Sequence, residues 1–120
     1  MLNLDTHILI KALEGNLTPH ERTVLAADPE WGISAIVLWE IAKLHQLGRI
    51  RHGLDQEPLA SALDEILIWP ITRKVCLKLR NLDFQSDPAD EIIAATSLTY
   101  DVPLLTRDSR IRKSKTVKLI

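Results

Sequence analysis

Four carboxylates stand out by where they fall in the chain. Asp5 closes the apolar run in LNLDT, Glu40 interrupts IVLWEIA, Asp90 lies in SDPADEIIAAT, and Asp108 follows LLTR in PLLTRDS. Each has an ordinary structural explanation. Asp5 and Asp108 precede possible helical turns and are N-cap residue types. Asp87-Pro88 reads as a cap and a first helical position, with Asp90 three residues after the cap, as in a capping box. Glu40 can pair with Lys43, three residues on, or sit on a solvent-facing edge. A charge between Trp39 and Ile41 nevertheless costs free energy unless it is paired or binds a cation. Around one cleft, four acids would repel one another and hold their protons to higher pH unless a cation neutralised them. No His or Cys joins them at metal-ligand spacing. The donor set is therefore all oxygen, which suits Mg²⁺ or Mn²⁺ rather than Zn²⁺. Such an ion can activate water and clamp the oxygens of a phosphodiester.

For these acids to meet, the chain has to bring distant segments to one edge. Met1 to Leu4 reads as a buried strand. A helix follows from His7 to Leu13, stopped by Gly15-Asn16, and Thr18-Pro19 opens a second helix to Ala27. Trp31 to Ile33 is strand-like. Ser34 caps a long helix, AIVLWEIAKLHQL, that ends at Gly48. Pro58 opens a helix to Glu65, ILIWPI over 66–71 is strand-like, and Thr72 caps a helix to Leu82. The helix at Pro88 precedes a strand at Val102 to Leu105, a short turn or helix near Arg110, and a terminal strand from Thr116 to Ile120. Continuous apolar strands alternating with helices predict a parallel sheet covered on both faces. In such sheets ligands bind beyond the carboxyl ends of the strands. Asp5 and Asp108 would both emerge there.

The bulk numbers set limits. A chain of 120 residues suffices for one domain, 1–120, with one core. Its 46% hydrophobic and 26% charged residues are ordinary for a soluble globular protein. One Phe and one Tyr leave no stacking platform for single-stranded bases. A net charge of −1 is not that of a polycation, yet Arg107, Arg110, Arg112, Lys113, Lys115 and Lys118 face only Asp108 in the last fourteen residues. This run is either a solvated face or a phosphate-tracking patch. The lone Cys76 reads as a small core residue in a reducing, cytoplasmic setting. No run of eighteen apolar residues and no leader-like N-terminus points to a membrane or to secretion. His7 can line the cleft or simply start a helix, and His20, His45 and His52 lack ligand spacing. Trp31, Trp39 and Trp69 read as core anchors or dimer-interface residues.

Taken in order, MLNLDT, SAIVLWEIAKLHQLGRI, DPADEIIAATSL and VPLLTRD resemble the PIN-domain ribonucleases, above all the VapC-type toxins of prokaryotic toxin–antitoxin pairs. The resemblance spans essentially the whole chain. It implies a PIN-like three-layer α/β/α sandwich with a central parallel sheet of about five strands. It also implies Mg²⁺- or Mn²⁺-dependent hydrolysis of RNA, with Asp5, Glu40, Asp90 and Asp108 as catalytic metal ligands. Thr106 would orient a ligand or water, and Asp87 would act as a cap and then as a supporting group. Arg107, Arg110, Arg112 and Lys113 would guide the RNA backbone. A homodimer restrained by a cognate antitoxin is implied as well. One departure is Glu91, where many relatives carry Arg; it is expected to face solvent. Two rivals remain. One is a non-catalytic PIN-like RNA-binding or protein-interaction module. The other is a phosphatase of the haloacid dehalogenase type, which needs Asp-x-Asp after its first strand, where this chain has Asp5-Thr6-His7.

Overall fold

In the computed structural model, which describes residues 1–120, β1 (Leu2–Leu4), β2 (Trp31–Ser34), β3 (Leu67–Trp69) and β4 (Leu104–Leu105) form one parallel sheet in the order β3-β2-β1-β4. The strands are short, and β1, β2 and β4 are buried almost throughout, as strands in a covered parallel sheet must be, whereas the edge strand β3 exposes Leu67. Leu2 pairs with Trp31, Asn3 with Leu104, and Gly32 with Leu67. Around it lie α1 (Thr6–Glu14), α2 (Pro19–Ala27), α3 (Ala35–Gln46), α4 (Leu59–Glu65), α5 (Arg73–Leu77), α6 (Pro88–Tyr100) and α7 (Ser109–Arg112). Leu2, Leu4, Ile33, Leu104 and Leu105 from the strands pack with Ile8, Leu9, Val37, Ile41 and Ile93 from the helices in one buried cluster. No helix is long and apolar enough to cross a membrane.

The helix starts follow their caps. Thr18 Oγ1 accepts from the Glu21 amide while Glu21 Oε1 accepts from the Thr18 amide, a reciprocal capping box. Ser34 accepts from Ile36 and Thr72 from Val75. Gly15 ends α1 in the left-handed conformation, φ 74°, which its missing side chain permits.

Four expectations need correcting. The sheet has four strands, because the predicted terminal strand contributes only an isolated bridge from Leu119 to Leu104. Upstream of that bridge the chain folds on local side chains: the amides of Thr116 and Val117 donate to Ser114 Oγ, and Ser114, Lys115 and Thr116 all donate to Asp83. The Thr72 helix ends at Leu77, and a tighter 3₁₀ turn (Lys78–Asn81) replaces its last stretch. Strand β4 begins at Leu104 rather than Val102. Cys76 is exposed rather than in the core, because the short α5 buries Val75 instead. Of the tryptophans, Trp69 is buried and stacks on Tyr100 with ring centroids 5.6 Å apart, whereas Trp39 is 59% exposed.

The strand order places a crevice. The chain steps from β1 to β2 to β3 in one direction, then returns to add β4 on the far side of β1. The direction reverses between β1 and β4, the topological switch point at which α/β sheets bind ligands.

Candidate active site

Asp5 follows β1 directly and is only 7% exposed. Its Oδ1 accepts the Thr6 amide at 2.8 Å and so caps α1. Its Oδ2 accepts from Thr106 Oγ1 at 2.5 Å, from the residue that follows β4. The same Thr106 hydroxyl oxygen accepts the Asp108 amide at 3.0 Å. Asp108 in turn caps α7, with Oδ1 accepting from Arg110 and Ile111 at 2.9 and 3.0 Å. Both cap readings of these acids therefore hold, and both acids also stand at the switch point.

Glu40 on α3 does not pair with Lys43, which donates to Gln46 instead. Glu40 Oε1 accepts a short hydrogen bond from Thr6 Oγ1, which ties α3 to the start of α1. Asp90 sits in the first turn of α6, where its Oδ2 accepts Ser86 Oγ at 2.9 Å. The expected capping box is absent there: Asp87 occupies the cap position but its side chain makes no cap bond. Glu91 does not simply face solvent either. It is part-buried, and its Oε2 accepts the Ser86 amide at 3.0 Å.

The electrostatics show that these acids sense one another. Burial pushes Asp5 above the ordinary carboxylate range, and the Asp108 charge adds to this. Burial likewise raises Glu40, with Asp5 and Asp90 contributing. Asp90 is raised by burial first and then by Asp5, Asp108 and Asp87. Four segments far apart in sequence thus bring Asp5, Glu40, Asp90 and Asp108 close enough for their charges to interact. No three His, Cys, Asp or Glu side chains converge into a ready-made metal cage. The donor set still fits a hard cation. Glu40 Oε2, Asp90 Oδ1 and Asp108 Oδ2 have no protein partner, and none is sealed from solvent. Mutual repulsion also favours any ion that neutralises it.

The basic residues divide into two pairs. Arg107 donates from Nε and Nη2 to both oxygens of Glu21, at 2.7 and 2.6 Å, and from Nη2 to the Asn16 carbonyl at 3.0 Å. Its hydrogen bonds hold the Glu21 carboxyl down to about 2. Arg112 donates to the Thr106 carbonyl at 3.1 Å. These two expected cations therefore brace the segment that carries Thr106 and Asp108. Arg110 and Lys113 are exposed, and their side chains make no ion pair. Sequence reasoning missed Glu21, Thr6 and Ser86. Glu21 signalled its capping box through Thr18-x-x-Glu21, but nothing local announces a partner 86 residues away.

The sequence model of the PIN domain matches residues 3–116. A comparison with curated proteins gives no match. Among solved structures, the fold is similar to VapBC2 from Rickettsia felis bound to a DNA fragment from their promoter, with a TM-score of 0.75 at 19% identity over 100% of this chain and 98% of that one. A toxin–antitoxin complex from Klebsiella pneumoniae gives 0.73 at 20% identity, covering 100% and 96%. FitAcB from Neisseria gonorrhoeae gives 0.70 at 21% identity, also covering 100% and 96%. At these identities the likeness is one of fold.

Proposed function

The chain belongs to the PIN domain family, and from that footing we propose that it is a divalent-metal-dependent endoribonuclease acting as the toxin of a toxin–antitoxin pair. The observation that carries this reading is the gathering of carboxylates beyond the carboxyl ends of β1 and β4, where Thr106 links Asp5 to Asp108 and where burial and mutual repulsion raise the pKa values of Asp5, Glu40 and Asp90. Mg²⁺ or Mn²⁺ held by Asp5, Glu40, Asp90 and Asp108 would supply an activated water and offset charge on the phosphate. The chain's own part is orientation. Thr106 fixes Asp5 and the Asp108 amide, Thr6 fixes Glu40, and Ser86 fixes Asp90. Exposed Asp87 adds negative potential beside Asp90. Arg110 and Lys113 remain available to guide an RNA backbone, and Arg107 and Arg112 hold the loop that presents them.

A cognate antitoxin is the natural restraint on such an activity, and similarly folded chains occur in toxin–antitoxin complexes. A basic or amphipathic segment would complement the acidic crevice. The exposed apolar side chains Trp39, Leu67, Leu77 and Tyr100 offer surface for a second copy in a homodimer. The single free cysteine fits a cytoplasmic setting. A second reading, a non-catalytic RNA-binding or interaction module, is favoured by one observation: no three potential ligands are preassembled.

The test is cleavage of total RNA by purified protein in Mn²⁺, in Mg²⁺ and in EDTA, beside Asp90→Asn. Discrete fragments that require metal and Asp90 support the nuclease. Intact RNA under every condition, from folded protein free of antitoxin, favours the module.

A further inference from the structure

Beside the carboxylates lies a cavity of about 400 Å³ lined by three cations, Lys11, Arg49 and Arg107, together with His7 and with Glu14 as its one acid. His7 follows Asp5 by two residues and Arg107 directly precedes Asp108, so the cavity borders the acidic cluster. Arg107 is held rigid there. Glu21 engages Nε and Nη2, which leaves Nη1 without a protein partner, and the side chain is 36% exposed. A guanidinium fixed in this way loses little further freedom when it binds an anion. Arg49 enters no ion pair. Lys11 makes only a loose, exposed contact with Glu14 at 3.4 Å, which competes weakly with a stronger anion.

An acidic crevice repels a polyanion, so a strand can approach it only if nearby cations offset that repulsion. We propose that this cavity is a phosphate subsite of the nuclease, in which Arg107, Arg49 and Lys11 bind the RNA backbone phosphate next to the one held at the carboxylates. The inference rests on the nuclease reading and adds to it a path for the strand over the exposed side of α1. The contacts are to phosphate oxygens, so the subsite is indifferent to base identity. Glu21 is a positioning residue here, acting through Arg107.

The test is anisotropy of a fluorescein-labelled oligouridylate of about twelve nucleotides, bound to the Asp90→Asn protein in Mg²⁺ across a salt series. Arg49→Ala and Lys11→Ala are each introduced, with Lys74→Ala on the exposed face of α5 as the control. Loss of one phosphate contact should weaken binding about fourfold at about 0.15 M salt and flatten the log–log salt slope by about 0.7. The control should leave both unchanged. Unchanged binding in Arg49→Ala and Lys11→Ala, equal weakening in Lys74→Ala, or no RNA binding at low salt would each overturn the subsite. The first result, alongside metal-dependent cleavage by the wild type, would leave the nuclease standing and reserve the cavity for an acidic protein segment. Binding that depends on Arg49 without any metal-dependent cleavage would keep the subsite and sink the nuclease.

Discussion

Thr106 and Asp5 lie 101 residues apart, yet the Thr106 hydroxyl donates to Asp5 Oδ2 at 2.5 Å in a buried contact across the β4–β1 edge. The same oxygen accepts the Asp108 amide, so one hydroxyl orients two members of the carboxylate cluster. Thr106→Val keeps the shape and removes the donor. It should cost about 1–3 kcal/mol in urea unfolding. Losing a hydrogen bond that lowers the Asp5 pKa should also move the acid limb of the cleavage profile to higher pH. Thr106→Ser should restore both. A valine variant with wild-type stability and an unmoved profile would remove Thr106 from the site.

The buried acids make the metal-free protein less stable as pH rises. Asp5, Glu40 and Asp90 have folded pKa values raised above their ordinary 3.8, 4.5 and 3.8. Between those ordinary values and the raised ones the folded chain binds more protons than the unfolded chain. Stability is therefore present at low pH and declines as pH climbs through that window. Asp90→Asn removes one contributor. In EDTA at pH 8 its Tm should exceed the wild type's by about 2–5 °C, a modest gain because Asp90 is only part-buried. The difference should close near pH 4. A lower Tm for the variant at pH 8 contradicts this account.

Metal should reverse that penalty. At a Mn²⁺ concentration of about 100 times Kd, binding to the folded state alone adds about 2.7 kcal/mol. Thermal shift should therefore show a large Mn²⁺-dependent rise in wild-type Tm. Asp5→Asn and Asp90→Asn should each lose most of it, and Asp87→Asn, at an exposed position without a side-chain bond, should keep it. Equal shifts in all four proteins would place the ion elsewhere.

Glu21 has the opposite sign. Arg107 holds its carboxyl at about 2, against an ordinary 4.5, so its contribution is present above 4.5 and lost as pH falls toward 2. Glu21→Gln preserves an acceptor for the Thr18 cap and removes the charge facing Arg107. It should cost about 1–3 kcal/mol at pH 7, shrinking by pH 3. Urea midpoints at the two pH values check this. A penalty equal at both would mean that packing, rather than charge, is what Glu21 contributes.

Gly32 tests the sheet. A Cβ there would come within 2.6 Å of two ring atoms of Trp69, whose indole covers the β2 backbone and stacks on Tyr100. Gly32→Ala should displace the ring and cost about 1–3 kcal/mol, with altered near-ultraviolet circular dichroism. An unchanged spectrum and midpoint would show that Trp69 is free to move.

Much of this protein is local and therefore legible in one dimension. Thr18, Ser34 and Thr72 announce their helices because a cap bonds only two or three residues ahead. The buried strands show as apolar runs, and the acids at strand and helix ends can be picked out before any folding is considered. Other features depend on pairings that no short window contains. Ser114 and Thr116 turn toward Asp83, so the terminal segment reaches β4 only at its last few residues. Helix α5 has five residues, too few for periodicity to say that Val75 is buried and Cys76 exposed. Arg107 looks like a free cation in a basic run until α2 delivers Glu21 to it. Which groups are available, and which element each one begins or ends, can be read from the chain alone, because caps, propensities and apolar runs act over a few residues. Which hydroxyl holds which carboxylate, and that the acids' protons are held to higher pH, follows from packing, because burial and charge proximity arise when distant segments come together.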